Sequence, residues 1–303
     1  MSHPVLMEEP LQFGEGGRLF GILTLPSVPP HDLQQRPVFV FFNAGLLHRV
    51  GPHRLYVHLA RDLARMGFSS LRVDLAGKGD SPAQPGLASQ QSAAADYAEI
   101  VRVLESRLGP GPRVLAGLCS GADNAIRLSP GDPRVVGLLL LDPVCSPDAG
   151  FGTRAFILRY TNTARYVAWL KRRLTRPKAS QERVDLMAVR DVPSPDQLRS
   201  AFESVRERNG RVLSVFTQYA LEFYNQAGQL RRVLGVEGYE EFCTELFWPQ
   251  AEHTYTLDLH RRQLVEVIRT WAGGFVPTKK IAAPAIDVRA GHAMTILPAR
   301  SND

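Results

Sequence analysis

A cysteine flanked by glycines is the residue best suited to chemistry in this chain. Residues 114–125 read VLAGLCSGADNA, with Cys119 two residues after Gly117 and two before Gly121. The apolar run before Cys119 is typical of a buried strand, and the segment after it of a helix. A nucleophile on a sharp turn from strand to helix needs small neighbours, and the free N–H groups of the helix favour a thiolate. We therefore interpret Cys119 as a candidate nucleophile, against the alternative of a buried structural cysteine.

The elements that must position Cys119 alternate along the chain. Two β-rich runs around a Gly-rich turn predict a hairpin of two strands at 11–26. Apolar runs bounded by Gly or Pro predict further strands at 36–45, 68–77, 112–119 and 135–144, and helical spacing predicts helices at 53–67 and 92–109. Such alternation is typical of βαβ units around a parallel sheet. It stops after residue 144 and resumes at residue 209, which predicts a core of residues 10–144 and 209–275. Residues 145–208 are interpreted as a helical lid, and residues 276–303 as an irregular tail.

Composition excludes several functional classes. The chain has 303 residues, 44% of them hydrophobic, which is enough to bury a large α/β core. Its three cysteines have no CxxC spacing, and His and acidic residues do not cluster at ligand spacing, so neither a disulfide framework nor a metal site is expected. A dinucleotide fingerprint is also missing, so no cofactor is expected.

Charge and hydropathy bear on partners and location. The net charge is +6, and residues 154–178 contain eight basic residues without an acid, a pattern that suits either a solvated face or an anionic partner. Nucleic acid is disfavoured because no binding motif accompanies the charge. The chain has no uninterrupted apolar stretch of about 18 residues, so no membrane span is expected. Its first residues lack the pattern of a secretory signal. A cytoplasmic protein without stable membrane insertion is the expectation.

These motifs resemble those of the α/β-hydrolase superfamily. The order of elements, the GLCSGA elbow (117–122) after the fifth predicted strand and the insertion after the sixth are similar to that fold. A cysteine at the elbow is familiar from dienelactone hydrolase and polyhydroxyalkanoate synthases. The chain is also similar to small bacterial hydrolases associated with exosortase systems, in NAGLLHRVGPHRLY (43–56), GLCSGA and EHTYT (252–256). The resemblance implies an α/β-hydrolase fold, with a mostly parallel central sheet flanked by helices and a helical lid.

The resemblance also implies a base and an acid after the nucleophile, in the order nucleophile, acid, base. His253, between the last predicted strand and the last predicted helix, fits the base better than His260 or His292. The acid has two candidates: Glu222, near the position where the family commonly has Asp, and Asp142 at the end of LLLLDPV. A Cys–His dyad without an acid stays open, because a thiol is already more acidic than a hydroxyl.

Other site residues follow from the same resemblance. The backbone N–H of Ser120 and that of Gly45 or Leu46 would form an oxyanion hole. Residues expected to contact substrate are Asn43, His48, Tyr160 and Trp169, the last two in the predicted lid.

Three functions are compatible with these residues. The first is hydrolysis of an ester or thioester through an acyl-Cys119 intermediate, with a small-molecule acyl substrate that is free or carried on CoA or a carrier protein. The second is an acyltransferase or cyclising enzyme, in which an alcohol or amine replaces water. The third is a non-catalytic scaffold on the same fold, because fold alone does not determine function.

Overall fold

A computed structural model describes residues 6–27, 35–84, 86, 89–161 and 190–276. The strands are β1 (Met7–Phe13), β2 (Leu19–Leu25), β3 (Val38–Phe42), β4 (Ser70–Asp74), β5 (Arg113–Leu118), β6 (Val135–Leu141), β7 (Arg211–Thr217) and β8 (Cys243–Trp248). The helices are α1 (Leu55–Arg65), α2 (Ser89–Leu108), α3 (Ser120–Leu128), α4 (Phe151–Thr161), α5 (Pro195–Glu207), α6 (Gln229–Leu234), α7 (Tyr239–Phe242) and α8 (Asp258–Gly273).

The strands in these ranges form one sheet in the order β1-β2-β4-β3-β5-β6-β7-β8. Strands β4, β3, β5, β6, β7 and β8 run parallel, whereas β2 pairs antiparallel with β1 and with β4. Parallel strands need crossover connections, and the chain supplies helices for them. This architecture is the α/β-hydrolase fold, as the resemblance of its motifs implies.

The sheet is covered by helices on both faces. Alternate residues of β3 point to opposite faces: Val38, Val40 and Phe42 join a core under α2, α3 and α5, whereas Phe39 and Phe41 join a core under α1 and α8. All five β3 residues are buried, as expected of a strand inside a parallel sheet. The result is a rigid platform whose parallel strands all end at the same edge, where α/β folds place their sites.

One part of the predicted lid belongs to the core. Helix α5 packs on the sheet through Leu198, Phe202 and Val205, which are buried in the core under α2 and α3. It is the crossover helix between β6 and β7, which a parallel pair requires. The insertion is therefore shorter than the predicted 145–208. Residues 162–189 lie outside the described ranges.

None of the described helices is long and apolar enough to cross a membrane. Of the predicted tail, only residue 276 lies within the described ranges, so the prediction for 277–303 stays a prediction.

Candidate active site

Cys119 occupies a strained turn between β5 and α3. Its backbone angles are φ 57° and ψ −120°, a positive-φ region that residues other than glycine rarely adopt. The Cys119 N–H donates to the Leu141 carbonyl at 2.8 Å, which ties the turn to the end of β6. A Cβ at Gly117 would lie 2.2 Å from the carbonyl carbon of Gly121, and one at Gly121 would lie 2.7 Å from the Phe42 oxygen. The two glycines are thus required by close backbone packing around the nucleophile.

This packing makes the elbow sensitive to a single methyl group. We expect Gly117→Ala to lower the free energy of unfolding by about 3 kcal/mol, the upper end for overpacking, because backbone rather than a flexible side chain would have to move. Gly131→Ala is the matched control, since a Cβ there meets nothing within 4 Å. Denaturant unfolding of both variants measures the difference. Equal stabilities would contradict the close approach at the elbow.

His253 lies beside the elbow and is held by Asp142. Its Nδ1 lies 2.7 Å from Asp142 Oδ2, although the two residues are 111 positions apart in the chain. Asp142 follows β6 and is fully buried. Its Oδ1 accepts from the Thr217 N–H at 2.6 Å, and its Oδ2 also accepts from the Thr217 hydroxyl at 2.7 Å. With Nδ1 engaged by Asp142, Nε2 is the ring nitrogen left for Cys119, and His253 is one of the groups that lower the pKa of that thiol.

The electrostatics favour a charged pair. Burial opposes ionisation of Cys119, but the hydrogen bond with His253 and the positive charges of Arg190 and His253 hold the pKa of the thiol below its usual value. Burial also disfavours the charged imidazole, yet the hydrogen bonds with Asp142 and Cys119 outweigh it and raise the pKa of His253 to about 9. Thiolate and imidazolium therefore stabilise each other, as in an activated cysteine nucleophile.

The two candidate acids occupy different surroundings. Asp142 contacts His253, whereas Glu222 ends an exposed turn after β7, Gln218–Glu222, with its side chain in solvent. Thr217, the last residue of β7, donates to Asp142 through its N–H and its hydroxyl. The structure thus brings together Cys119, His253 and Asp142, and it leaves Glu222 out.

The predicted oxyanion residues lie next to the nucleophile. Ser120 is the first residue of α3, and its hydroxyl accepts a hydrogen bond from the Gly45 N–H at 2.9 Å. This contact joins the loop after β3 directly to the elbow. Leu46 follows in the same loop, with a side chain that is 83% exposed. The backbone N–H groups of Leu46 and Ser120 are therefore the candidate donors to an oxyanion. The Gly45 N–H already donates to the Ser120 hydroxyl.

Asn43, which the resemblance places at the substrate, is enclosed by protein. It is fully buried, its amide nitrogen donates to Leu47 O and Asp74 Oδ1, and its amide oxygen accepts from the Leu75 N–H at 2.9 Å. It therefore fastens together the loops that follow β3 and β4. The sequence could not show this, because the partners come from a neighbouring strand.

His48 belongs to a charged cluster in the same loops. Its Nε2 lies 3.0 Å from Asp80 Oδ2 and 2.7 Å from Arg49 Nη1. His48, Asp74 and Asp80 offer possible ligand atoms for a metal ion within 4.8 Å of one another. However, Arg49 already bonds both carboxylates, at 2.5 Å and 2.7 Å, so a cation would have to displace a guanidinium.

The substrate contacts predicted for Tyr160 and Trp169 fall on side chains outside the described residues. Tyr160 lies in α4, but its side chain is outside the described set, as is the whole of Trp169.

Three residues at the site were missed by sequence reasoning. The Tyr219 ring stacks on His253 with the ring centroids 4.0 Å apart. Arg190, with a side chain only 3% exposed, pairs with Asp123 through Nε–Oδ2 at 2.5 Å and Nη2–Oδ1 at 2.8 Å. The Asp123 N–H donates to the Cys119 carbonyl at 3.1 Å. Asp123 could have been noticed as the acid inside the elbow segment, but no local pattern indicates Tyr219 or Arg190.

Similar solved structures share the fold. A dienelactone hydrolase from Anabaena variabilis is 13% identical over 91% of this chain and 100% of that chain, with a TM-score of 0.53. Est1E from Butyrivibrio proteoclasticus is 13% identical over 88% of this chain and 98% of that chain, also with a TM-score of 0.53. A cold-adapted esterase from an Arctic intertidal metagenomic library is 15% identical over 88% and 93%, with a TM-score of 0.50. At these identities the likeness shows the fold alone.

The sequence itself identifies the family. Among curated proteins, no sequence matches the chain. The family model for serine aminopeptidases of type S33 matches residues 45–205, a span that includes Cys119 and Asp142 and ends before His253. Where the family name specifies a serine enzyme, the elbow here carries a cysteine. The chain belongs to the serine aminopeptidase S33 family of α/β hydrolases.

Proposed function

We propose that the protein hydrolyses an ester or thioester through an acyl-Cys119 intermediate. One arrangement carries the proposal: the hydrogen bond between Asp142 and His253 beside a cysteine on a strained elbow, with His253 lowering the pKa of Cys119 and Cys119 raising that of His253. A nucleophile, a base within reach and a third group that orients the base are the signature of covalent catalysis. The substrate is a small acyl compound, free or carried on CoA or a carrier protein.

The geometry supports a two-step reaction. The Cys119 thiolate attacks the carbonyl carbon, and the developing oxyanion is held by backbone N–H groups, that of Ser120 first. The bond to the leaving alcohol or thiol breaks as His253 Nε2 gives it a proton, which leaves an acyl-cysteine. His253 then takes a proton from water, the hydroxide attacks the acyl carbon, and Cys119 departs as a thiolate. Asp142 keeps the imidazole oriented through both steps.

Relatives of this fold support the acyl chemistry. Among the similar structures are one protein described as an esterase and one described as a dienelactone hydrolase. Ester hydrolysis therefore fits the fold, and the cysteine extends it to thioesters. A thioester intermediate retains much of the free energy of a thioester substrate. Transfer to an alcohol or amine is consequently the second candidate function.

Intact mass spectrometry tests the proposal. Wild-type protein and Cys119→Ala are incubated with a panel of acyl-CoA and acyl-cysteamine thioesters and simple aryl esters. We expect an added acyl mass on the wild type alone, because the alanine variant lacks the attacking sulfur. Rapid loss of the adduct in water identifies a hydrolase, and persistence until an alcohol or amine is added identifies a transferase. An adduct on Cys119→Ala, or no adduct and no turnover with any donor, would contradict the proposal and favour the scaffold.

A further inference from the structure

The turn that carries His253 is short and strained. His253 is the second residue of the turn 252–255, which the Tyr255 N–H closes by donating to the Glu252 carbonyl at 2.9 Å. Tyr255 ends the turn with φ 52°, a positive value that is uncommon for residues other than glycine. Such a conformation persists only where the surrounding structure holds it. The position of His253 therefore depends on the contacts that hold this turn.

Arg261 holds the end of the turn that follows His253. Its Nη1 donates to the Tyr255 carbonyl at 2.8 Å and to the Thr256 carbonyl at 2.6 Å. Its Nη2 donates to Asp258 Oδ1 at 3.3 Å, which orients the guanidinium. Because one nitrogen binds two successive carbonyls, the path of the chain is defined directly at the strained residue.

His260 holds the end of the turn that precedes His253. Its Nδ1 lies 3.1 Å from Oε2 of Glu252, the residue directly before His253. His260 is buried, so this contact is largely shielded from solvent. His260 and Arg261 are neighbours in the first turn of α8. One helical turn thus contacts the His253 turn on both sides of the histidine.

Helix α8 gives these contacts a fixed base. Leu264 and Ile268 are buried in the core that α8 shares with α1 and one face of the sheet. The Tyr255 ring is fully buried in the same core. The guanidinium of Arg261 therefore connects the backbone of the His253 turn to an element that packs directly on the sheet.

We propose that Arg261 is a positioning residue, which acts through the Tyr255 and Thr256 carbonyls to keep the His253 ring on Asp142 and beside Cys119. The inference rests on the proposed function, because it assigns His253 the role of base. Without the guanidinium the two carbonyls bind water, and the strained backbone of Tyr255 relaxes. The ring then leaves the geometry in which its Nδ1 lies 2.7 Å from Asp142. A misplacement of about 1 Å can lower a rate about 100-fold.

Arg261→Ala is tested against Arg262→Ala as the matched control. Arg262 is the next residue of α8 and also pairs with Asp258, at 2.6 Å, but its side chain is 80% exposed. The rate of Cys119 alkylation by iodoacetamide is followed against pH by intact mass. Cys119→Ser reports any background from the two buried cysteines. This measurement needs no substrate, so it is independent of the reaction that the enzyme catalyses.

We expect the pKa of the Cys119 thiol to rise by about half a unit to one unit in Arg261→Ala. At neutral pH this is about three- to tenfold less thiolate. The reason is that His253 is one of the groups that hold this pKa down. The other charged groups that act on Cys119 are Arg190, Asp123 and Lys78, which lie outside α8 and the His253 turn. Arg262→Ala should keep the wild-type profile.

Turnover of a donor that forms an adduct provides the second readout. We expect kcat of Arg261→Ala to fall about tenfold to 100-fold, with KM within about threefold of wild type, because the base is misplaced rather than the substrate. Millimolar guanidinium should restore kcat of this variant, since the free ion can bind the two carbonyls, and should leave the wild type unchanged. Arg261→Lys, which keeps one charged donor group, should be intermediate, and it carries the test if Arg261→Ala does not fold.

The outcomes separate the two claims. If Arg261→Ala and Arg262→Ala give the same alkylation profile, the positioning role is overturned while the proposed function stands. It is also overturned if Arg261→Ala loses melting temperature and activity together and guanidinium restores neither. An acyl adduct on Cys119→Ala would instead overturn the function, and the alkylation profiles would still decide whether Arg261 positions His253.

Discussion

Replacing Asp142 with Asn is expected to lower kcat about 10³- to 10⁴-fold. The Thr217 N–H needs an acceptor, so the asparagine oxygen would stay at the Oδ1 position and its NH₂ group would face His253 Nδ1. Nδ1 would then have to accept, which places the ring proton on Nε2, where the base must take a proton. The variant also loses the carboxylate that raises the pKa of His253. The measurement is single-turnover acylation and deacylation with the donor that forms an adduct.

Glu222→Gln is the matched control for this prediction. Glu222 is exposed in the turn after β7, so its charge should not matter and kcat should stay within about twofold of wild type. The opposite ranking, with Glu222→Gln severe and Asp142→Asn mild, would assign the acid to Glu222 and require a turn different from the one described. Two mild effects would indicate a Cys–His dyad.

Cys119→Ser is expected to lower kcat/KM at least about 10³-fold, although it restores the residue type after which the family is named. Burial opposes ionisation of the Cys119 thiol, but His253 and Arg190 outweigh it and hold the pKa of the thiol below its usual value. The same surroundings leave a serine hydroxyl un-ionised, because its pKa starts far higher. Initial rates of the two proteins with paired ester and thioester substrates measure the loss.

The pattern of the loss is informative as well. Cys119→Ser should be slow with both ester and thioester substrates. The variant lacks the thiolate nucleophile, and its contacts with the leaving group are unchanged. Unchanged melting temperature would show that the fold is intact. If Cys119→Ser retained more than a tenth of the wild-type rate, the site would act as an ordinary serine triad. Catalysis would then not depend on a stabilised thiolate.

Local patterns in the chain predicted the sheet and the elbow with Cys119, and the resemblance to α/β hydrolases added His253. Period and length of apolar runs indicate strands and helices, and the glycines on either side of Cys119 are demanded by a turn of only a few residues. Such features depend on neighbours close in sequence, so a single sequence is enough to recognise them. The sequence did not show where the insertion ends and the core helix α5 begins. The sheet beneath α5 determines which face of that helix is buried.

The sequence by itself determined that an α/β sheet presents a cysteine on a strand-to-helix turn with a histidine late in the chain. Only the tertiary structure decided that Asp142 rather than Glu222 meets His253, that Asn43 is enclosed between two loops, and that Tyr219 stacks on His253. The physical reason is that hydrogen-bond partners at the edge of a parallel sheet come from loops after different strands. Which side chains of those loops meet depends on how the loops pack on the sheet, and periodicity along the chain carries no information about that packing.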